Sequence, residues 1–461
     1  MEPTTKHALA LAAKTLAQSY DLVLHGTDTY IPVDIITGEK GPTDADSCIW
    51  LPLTRQDKRK MGNALSNILF TSDSELTNFD LMLKQYATEN EDPVTRLLVK
   101  TEDGLRVLDE TGQLIEPDGT FLPNFISPVL NEDPGDKAKV FEVISGWLNS
   151  DEEATSLLRH LSTALSPGWS AIKYILFIGD GRNGKSVLLS MLSDLFGHGN
   201  VSHVTRQQIA ERLPVAAELN SKLLNIVYDG EMAYIKDSSM EKTLIAGEPG
   251  YVRMLYENGN TKVQTNALFL EALNSEPKTR DKSSALQKRL SRFFFPNVYP
   301  QDSKFERMMR GERMLGAFLS LLLDHFVQEH ELAVALKQTE AATHLQVEQQ
   351  LVNSPLLQYV QHLVQSDAVW IDKLEQPGPV VDPLVDSFMA WRINEGYNEY
   401  SSMDVKRMFK EFFYTSRKSV REGQRVLKKE LLAGPKPETQ ALLDMLKGEA
   451  DGLQQQTVVD D

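Results

Sequence analysis

The chain has 461 residues, with 48 lysines and arginines against 65 aspartates and glutamates, a net charge of −17. That length predicts several domains, and that acidity excludes a wholesale cationic surface, so any nucleic acid has to be held by local basic patches such as the inside of a ring. The single cysteine, Cys48, excludes an internal disulfide framework and a cysteine-based zinc site and fits a reducing cytoplasm; no apolar run of about 18 residues occurs, so no membrane span is expected.

The opening stretch MEPTTKHALALAAKTLAQSYDL reads as an amphipathic helix. It lacks the basic start of a signal peptide, and Lys14, Gln18 and Asp21 interrupt its apolar pattern. Up to about residue 130, short apolar runs (LVLHGTDTYIPV, SCIWLPL) alternate with turn signals such as GEKGP and PDGT, which predicts a small α+β region. NEDPGD reads as a linker and helix start. From 137 to 165 the pattern is helical, through Val140, Ile144, Trp147, Leu148, Leu157, Leu158, Leu161 and Leu165, until Pro167-Gly168 breaks it.

From 171 to 298 strand-like runs alternate with helical patterns, the mark of an α/β layer fold. The strand-like YILFI is followed by Gly179-Asp180-Gly181-Arg182-Asn183-Gly184-Lys185-Ser186, a match to the phosphate-loop pattern G-x-x-x-x-G-K-[ST]. Glycines let backbone N–H groups converge on phosphate oxygens, the lysine reaches the β- and γ-phosphates, and the Ser186 hydroxyl is suited to Mg2+. The helix that follows, VLLSMLSDLFG, directs its positive end at the anion. A phosphate-cleaving site also needs an acid at a strand end. LLNIVYDGEM supplies Asp229 and Glu231, and Gly230 between them leaves open which acid does which job. ALFLEALNSEP ends in Asn274, an amide able to orient water, although Asn-Ser-x-Pro is also ordinary turn chemistry. Six basic residues (Lys278, Arg280, Lys282, Lys288, Arg289, Arg292) lie between 278 and 292 beside one acid, Asp281. They read either as a solvated helix face or as the source of an arginine offered to a neighbour's γ-phosphate. Asn258-Gly259, between strand-like runs, predicts a hairpin.

Residues 303–350 read as helical. Two further helix patterns follow, LLQYVQHLV and PLVDSFMAWRINEG, then a basic stretch from 404 to 430 that also reads as helical. Between Lys406 and Lys429 it carries nine basic residues against Glu411 and Glu422, with Phe409, Phe412, Phe413 and Tyr414 interleaved. That mixture suits phosphate contact as well as a helix with an aromatic core face. From 433 a flexible tail is expected, with a short helix candidate at ALLDMLKG.

Taken in order, these elements resemble the superfamily 3 helicases, in particular the D5-like branch of bacteriophage and plasmid primase–helicases and large DNA viruses. The resemblance rests on G-x-x-x-N-G-K-S, on IAGEPGYVRMLYENG, and on ALNSEP followed by D-x-S-x-A-L-x-K-R-L and FFFP, over about 130 residues. EQQLVNSPLLQYV and VDSFMAWRINEG extend it more weakly toward the C-terminus. It implies a P-loop AAA+ core at 171–298, with an N-terminal α+β adaptor (1–130), a helical collar (136–170), a helical lid (299–350), a winged-helix-like domain (351–432) and a tail (433–461). It further implies ATP and Mg2+ as cofactors, Lys185 and Ser186 as Walker A residues, Asp229 or Glu231 as Walker B, Asn274 as sensor and Arg289 as arginine finger. The expected assembly is a homo-hexameric ring moving 3′ to 5′ on single-stranded or forked DNA in the cytoplasm, a viral host's included, with a separate primase or polymerase as partner. DNA would be gripped by the hairpin (Arg253, Asn258, Lys262) and by Lys406, Arg407, Lys410, Arg417 and Lys418. The family often has an uninterrupted acidic pair where this chain has Asp-Gly-Glu, and a double arginine where it has Lys288-Arg289. Asp44-Ala-Asp46 looks like a primase pair, but no apolar strand frames it. The rival readings are an ATP-switched initiator or loader that does not unwind, and a P-loop kinase of small molecules.

Overall fold

The computed structural model describes residues 6–25, 28–34, 39–40, 48–66, 73–89, 95–166, 174–230, 239–253, 261–274, 289–328, 331, 336, 339, 354–367, 369–375, 379–394, 401–422, 425–436, 439–440 and 442–446. Asp44, Asp46, Glu231, Asn258 and Lys288 lie outside them. The chain divides into two compact units, Met1–Lys337 and Gln338–Asp461.

The first unit begins with α1 (Lys6–Ser19), whose buried stripe Leu9, Ala13 and Leu16 packs with Phe79 and Leu83 of α3 (Asp73–Tyr86). They lie with α2 (Arg55–Ser66) beside a four-stranded sheet. Its strands are β1 (Val23–His25), β2 (Asp28–Asp34), β3 (Cys48–Pro52) and β4 (Thr88–Glu89), in the order β3-β2-β1-β4. A second sheet, β7-β6-β5-β8, is built from β5 (Leu97–Thr101), β6 (Gly104–Leu108), β7 (Leu114–Ile115) and β8 (Phe125–Ile126). Side chains alternate across a strand, and β5 uses both faces: Leu98 joins the N-terminal core, while Leu97 and Val99 join the main core of the unit.

Where one helical run was expected, the chain forms α4 (Pro134–Leu148) and α5 (Asp151–Ser162). Asn149 takes a left-handed conformation (φ 57°), and the Ser150 hydroxyl then accepts a hydrogen bond from the Glu153 N–H to start α5. An N-cap of this kind contributes about 1 kcal/mol. Asp151, Glu152 and Glu153 in its first turn and Arg159 in its last complement the helix dipole.

The centre of the unit is a five-stranded parallel sheet of β9 (Tyr174–Ile178), β10 (Val201–Ser202), β11 (Leu224–Val227), β14 (Leu268–Leu273) and β15 (Leu290–Phe294), ordered β10-β11-β14-β9-β15. All five residues of β9 are buried, the continuous apolar pattern of a strand covered on both faces. Ile175 and Phe177 meet α4, α5, α6 (Lys185–Phe196) and the helix Glu312–Asp324 on one side. Tyr174, Leu176 and Ile178 face the layer made by α7 (Arg206–Ala210), the 3-10 turn Pro214–Leu219, α8 (Ser239–Ile245) and the hairpin strands β12 (Gly250–Val252) and β13 (Thr261–Val263). Each such side chain contributes roughly 1.5–3 kcal/mol by burial. After β15 come α9 (Ser303–Met309) and α10 (Glu312–Asp324), the latter buried along most of its length.

The second unit holds α11 (Pro355–Ser366), α12 (Val369–Glu375), α13 (Val381–Asn394) and α14 (Ser402–Phe412), followed by antiparallel β16 (Phe413–Glu422) and β17 (Arg425–Pro435). Tyr359, Val360, Phe388, Val405, Phe409 and Leu432 form its core. Two expectations are corrected here. The basic stretch is helical only to Phe412. Beyond it the chain turns into a long hairpin, because Thr415, Val420 and Val426 favour strand and Gly423-Gln424 is a two-residue turn signal between them. The expected tail is also ordered in part: Leu442, Leu443, Met445 and Leu446 are buried in this core, since ALLDMLKG presents a helical apolar stripe. Among the described residues no helix is long and apolar enough to cross a membrane.

Candidate functional site

The glycine-rich loop 179–184 leaves the C-terminal end of β9 and runs directly into α6. Gly184 is the N-cap of α6 at φ +95°, a left-handed conformation that side chains disfavour, and a β-carbon there would come within 2.5–2.6 Å of the Trp147 indole. Among the described residues no side chain caps α6, so its first N–H groups are left to other acceptors, as at helix N-termini that bind anions.

Lys185 is buried and curls back over the loop. Its ammonium donates to the carbonyl oxygens of Gly179 and Asp180 (2.9 Å for the latter) and to Asn183 Oδ1 (2.9 Å). Burial lowers its pKa from the usual lysine value, and the charges of Asp180 and Asp229 act the other way. Asn183, also buried, holds the loop to the end of β15 by donating from Nδ2 to the Phe295 carbonyl at 3.2 Å. Gly181, Arg182 and Ser186 are exposed, and Arg182 has φ 64°.

Two neighbouring strands end at the same edge. The Gly179 N–H donates to the Leu273 carbonyl (3.2 Å), which places Asn274, exposed and next in the chain, beside the loop. The Gly230 N–H donates to the Ala272 carbonyl (2.9 Å), which fixes the end of β11 and the exposed Asp229 alongside. Lys185, Ser186, Asp229 and Asn274 are thus gathered at the C-terminal ends of adjacent parallel strands, where open α/β sheets place ligands.

Arg289 is elsewhere. Its carbonyl accepts from the Tyr174 N–H (2.7 Å) at the start of β9, so it lies at the opposite end of the β9–β15 pair from Gly179. Arg253, directly after β12, and Lys262, in the middle of β13 opposite Tyr251, are both exposed. In the second unit Lys406 pairs with Asp382 (2.5 Å), Lys410 with Glu430 (3.0 Å), and Arg407 lies 3.9 Å from Asp404. Arg417 is exposed on β16, and Lys418 follows it on the same strand.

Two residues beside the site carry little signal in the sequence. Glu271 is a buried carboxylate in the middle of β14, and its one signal is a charge inside the apolar run LFLEAL. Burial pushes its pKa up to about 7, with the Glu241 charge adding to this and Arg206 and a hydrogen bond from the Tyr174 hydroxyl (3.1 Å) opposing it. Tyr299, in NVYP, donates its N–H to the Arg182 carbonyl (2.7 Å), and nothing in the local pattern points to that contact.

No family model matches the chain, and neither does any curated protein. Among solved structures it is similar to the C-terminal region of NrS-1 in an apo form, at 11% identity and a TM-score of 0.45, covering 93% of this chain and 99% of that one. A second apo structure of the NrS-1 C-terminal region, residues 305–718, gives 11% identity, a TM-score of 0.45 and coverage of 93% and 100%.

Proposed function

We propose that the chain is an ATP-driven DNA helicase of the superfamily 3, D5-like type, acting as a hexameric ring on single-stranded DNA. The observation that carries this reading is the convergence of Lys185, Ser186, Asp229 and Asn274 at one edge of the five-stranded sheet, with Arg289 at the opposite end. The strand order also supports an AAA+ core, since the loop-bearing strand is flanked by the Asn274 strand and, beyond it, the Asp229 strand.

In this reading the α6 N-terminus, the loop N–H groups and Lys185 take the ATP phosphates. Ser186 and Asp229 hold Mg2+, which supplies charge neutralisation to the phosphoryl group when bound. Asn274 orients water, with Glu231 the alternative to Asp229 as the acid that polarises it. A neighbour's Arg289 completes the site, because within one chain it stands level with the start of β9, about five residue steps and on the order of 17 Å from Gly179. Arg253 and Lys262 grip the strand in the ring, and Arg417 and Lys418 contact phosphates from the second unit.

Strand separation on a forked duplex with a 3′ tail, with ATP and Mg2+ and with Lys185→Ala as control, tests this. Unwinding by the wild type alone is expected. ATP hydrolysis stimulated by single-stranded DNA without unwinding would leave a motor lacking a loader, and hydrolysis indifferent to DNA would sink the helicase reading.

A further inference from the structure

The segment after β15 ties the loop to α4. The Phe295 N–H donates to the Ile178 carbonyl (2.8 Å), and the Asn297 amide donates to the Gly146 carbonyl (3.0 Å). Tyr299 is then held at both ends: its N–H donates to the loop at Arg182 (2.7 Å), and its hydroxyl donates to the same Gly146 carbonyl (2.7 Å). Anchored in this way, the residue remains 37% exposed, and its neighbour Val298 is 66% exposed. A rigidly held aromatic ring and a branched aliphatic side chain therefore stand open to solvent one hydrogen bond from the glycine-rich loop. Orienting them has a conformational cost, and the exposed part of each is left without a protein surface to cover it.

We propose that Tyr299 and Val298 form the seat for the purine base of the nucleotide whose phosphates enter the loop. The inference rests on the nucleotide reading above and adds the base contact to it. A nucleotide is short, so once its phosphates are in the loop its base has to rest on a surface that adjoins the loop. Tyr299 adjoins it through Arg182. The other exposed aromatic at this edge among the described residues, Tyr228, directly precedes Asp229 and stands against the His203 ring (centroids 5.8 Å apart), on the phosphate-and-metal side. Stacking on an aromatic ring contributes about 1–3 kcal/mol per base and tolerates any purine. The Tyr299 hydroxyl is used on Gly146, so the base contact is left to the face of the ring, which phenylalanine also offers.

Equilibrium titration of the full chain with ATP and with inorganic tripolyphosphate, in wild type, Tyr299→Ala, Tyr299→Phe and Lys185→Ala, separates the possibilities. Tyr299→Ala is expected to raise the Kd for ATP by about tenfold or more and to leave that for tripolyphosphate unchanged. Tyr299→Phe should stay near wild type for both ligands, and Lys185→Ala should weaken both. An unchanged ATP affinity in Tyr299→Ala overturns the proposal. So does an equal loss for ATP and tripolyphosphate, which would make the ring a prop for the loop, and so does a Tyr299→Phe variant as weak as Tyr299→Ala. If the wild type binds neither ligand, the nucleotide reading itself fails and the base seat with it.

Discussion

The carboxyl group of Glu271 lies against the α-carbon of Gly230, and any β-carbon at 230 would collide with it. The interruption in Asp229-Gly230-Glu231 therefore has a local cause: a buried acid on the adjacent strand fills the space that a side chain at 230 would need. The same carboxyl accepts from the Tyr174 hydroxyl and neighbours a buried ion pair, Arg206 with Glu241 (2.8 Å). Burial, with the Glu241 charge adding to it, outweighs the nearby Arg206 guanidinium, so Glu271 tends to keep its proton.

This has a pH consequence. With its pKa raised from 4.5 to about 7, Glu271 binds its proton more tightly in the folded chain than in the unfolded one. Its contribution to stability is fully present below the unfolded value and is lost as pH rises through the folded one. Glu271→Gln should flatten the dependence of denaturant unfolding between these values and stabilise the protein at pH 8 by up to about 3 kcal/mol. A variant with the wild-type pH profile would show that the carboxyl ionises freely.

Breaking the neighbouring pair from one side should be far more costly. Glu241→Gln leaves the Arg206 cation buried without its full countercharge, and removal of one partner of a buried pair costs about 3–5 kcal/mol. Replacing both, as Arg206→Met with Glu241→Leu, should recover most of that loss. A double variant no more stable than Glu241→Gln would mean that the pair holds α7 to α8 in a way apolar packing cannot replace.

Gly184→Ala separates sterics from backbone strain. The new methyl group meets the Trp147 indole, and φ +95° is itself unfavourable for alanine. Nucleotide affinity should fall more than tenfold. Adding Trp147→Ala should restore the steric part but not the backbone part, which is worth roughly 1–2 kcal/mol. Isothermal titration of the single and double variants reads the two contributions.

Arg289→Ala should retain nucleotide binding and lose turnover, because Arg289 lies a strand's length from its own loop. Mixing it with wild type should suppress activity below simple dilution if the residue serves a neighbour. ATPase rates that fall in proportion to the wild-type fraction would argue against that role.

In the second unit the cations of α14 are each engaged with a carboxylate, whereas Arg417 on the hairpin is exposed. Replacing Arg417 and Lys418 by alanine should therefore weaken DNA binding and reduce the slope of log K against log salt by about one for each phosphate no longer neutralised. Lys406→Ala should change the slope little. The opposite ranking would move the DNA-binding surface to the helix.

The strands that end at Gly179, Asp229 and Asn274 were legible because their signals are local. A buried strand running into glycines and a lysine, an apolar strand ending in acid, and another ending in asparagine each declare themselves within about ten residues. The hairpin of the second unit was missed because its regularly spaced cations suit a solvated helix as well as a strand, and only Gly423-Gln424 and the β-branched residues separate the two. Glu271 and Tyr299 act through partners at 230 and 182, far away in the chain, and no window along the sequence contains such a pairing.

The loop's lysine is solvated by its own chain. Three oxygens from Gly179, Asp180 and Asn183 already surround the Lys185 ammonium, so an entering anion competes with them and not with loosely held water. A singly charged anion offers too little in exchange, and a polyphosphate offers several oxygens at once. On the nucleotide reading proposed above, the loop would therefore favour a polyphosphate over a singly charged anion before any base is read. Asn183 also holds Phe295, so on that reading a ligand that draws Lys185 away from Asn183 would bear on the same side chain that ties the loop to the end of β15.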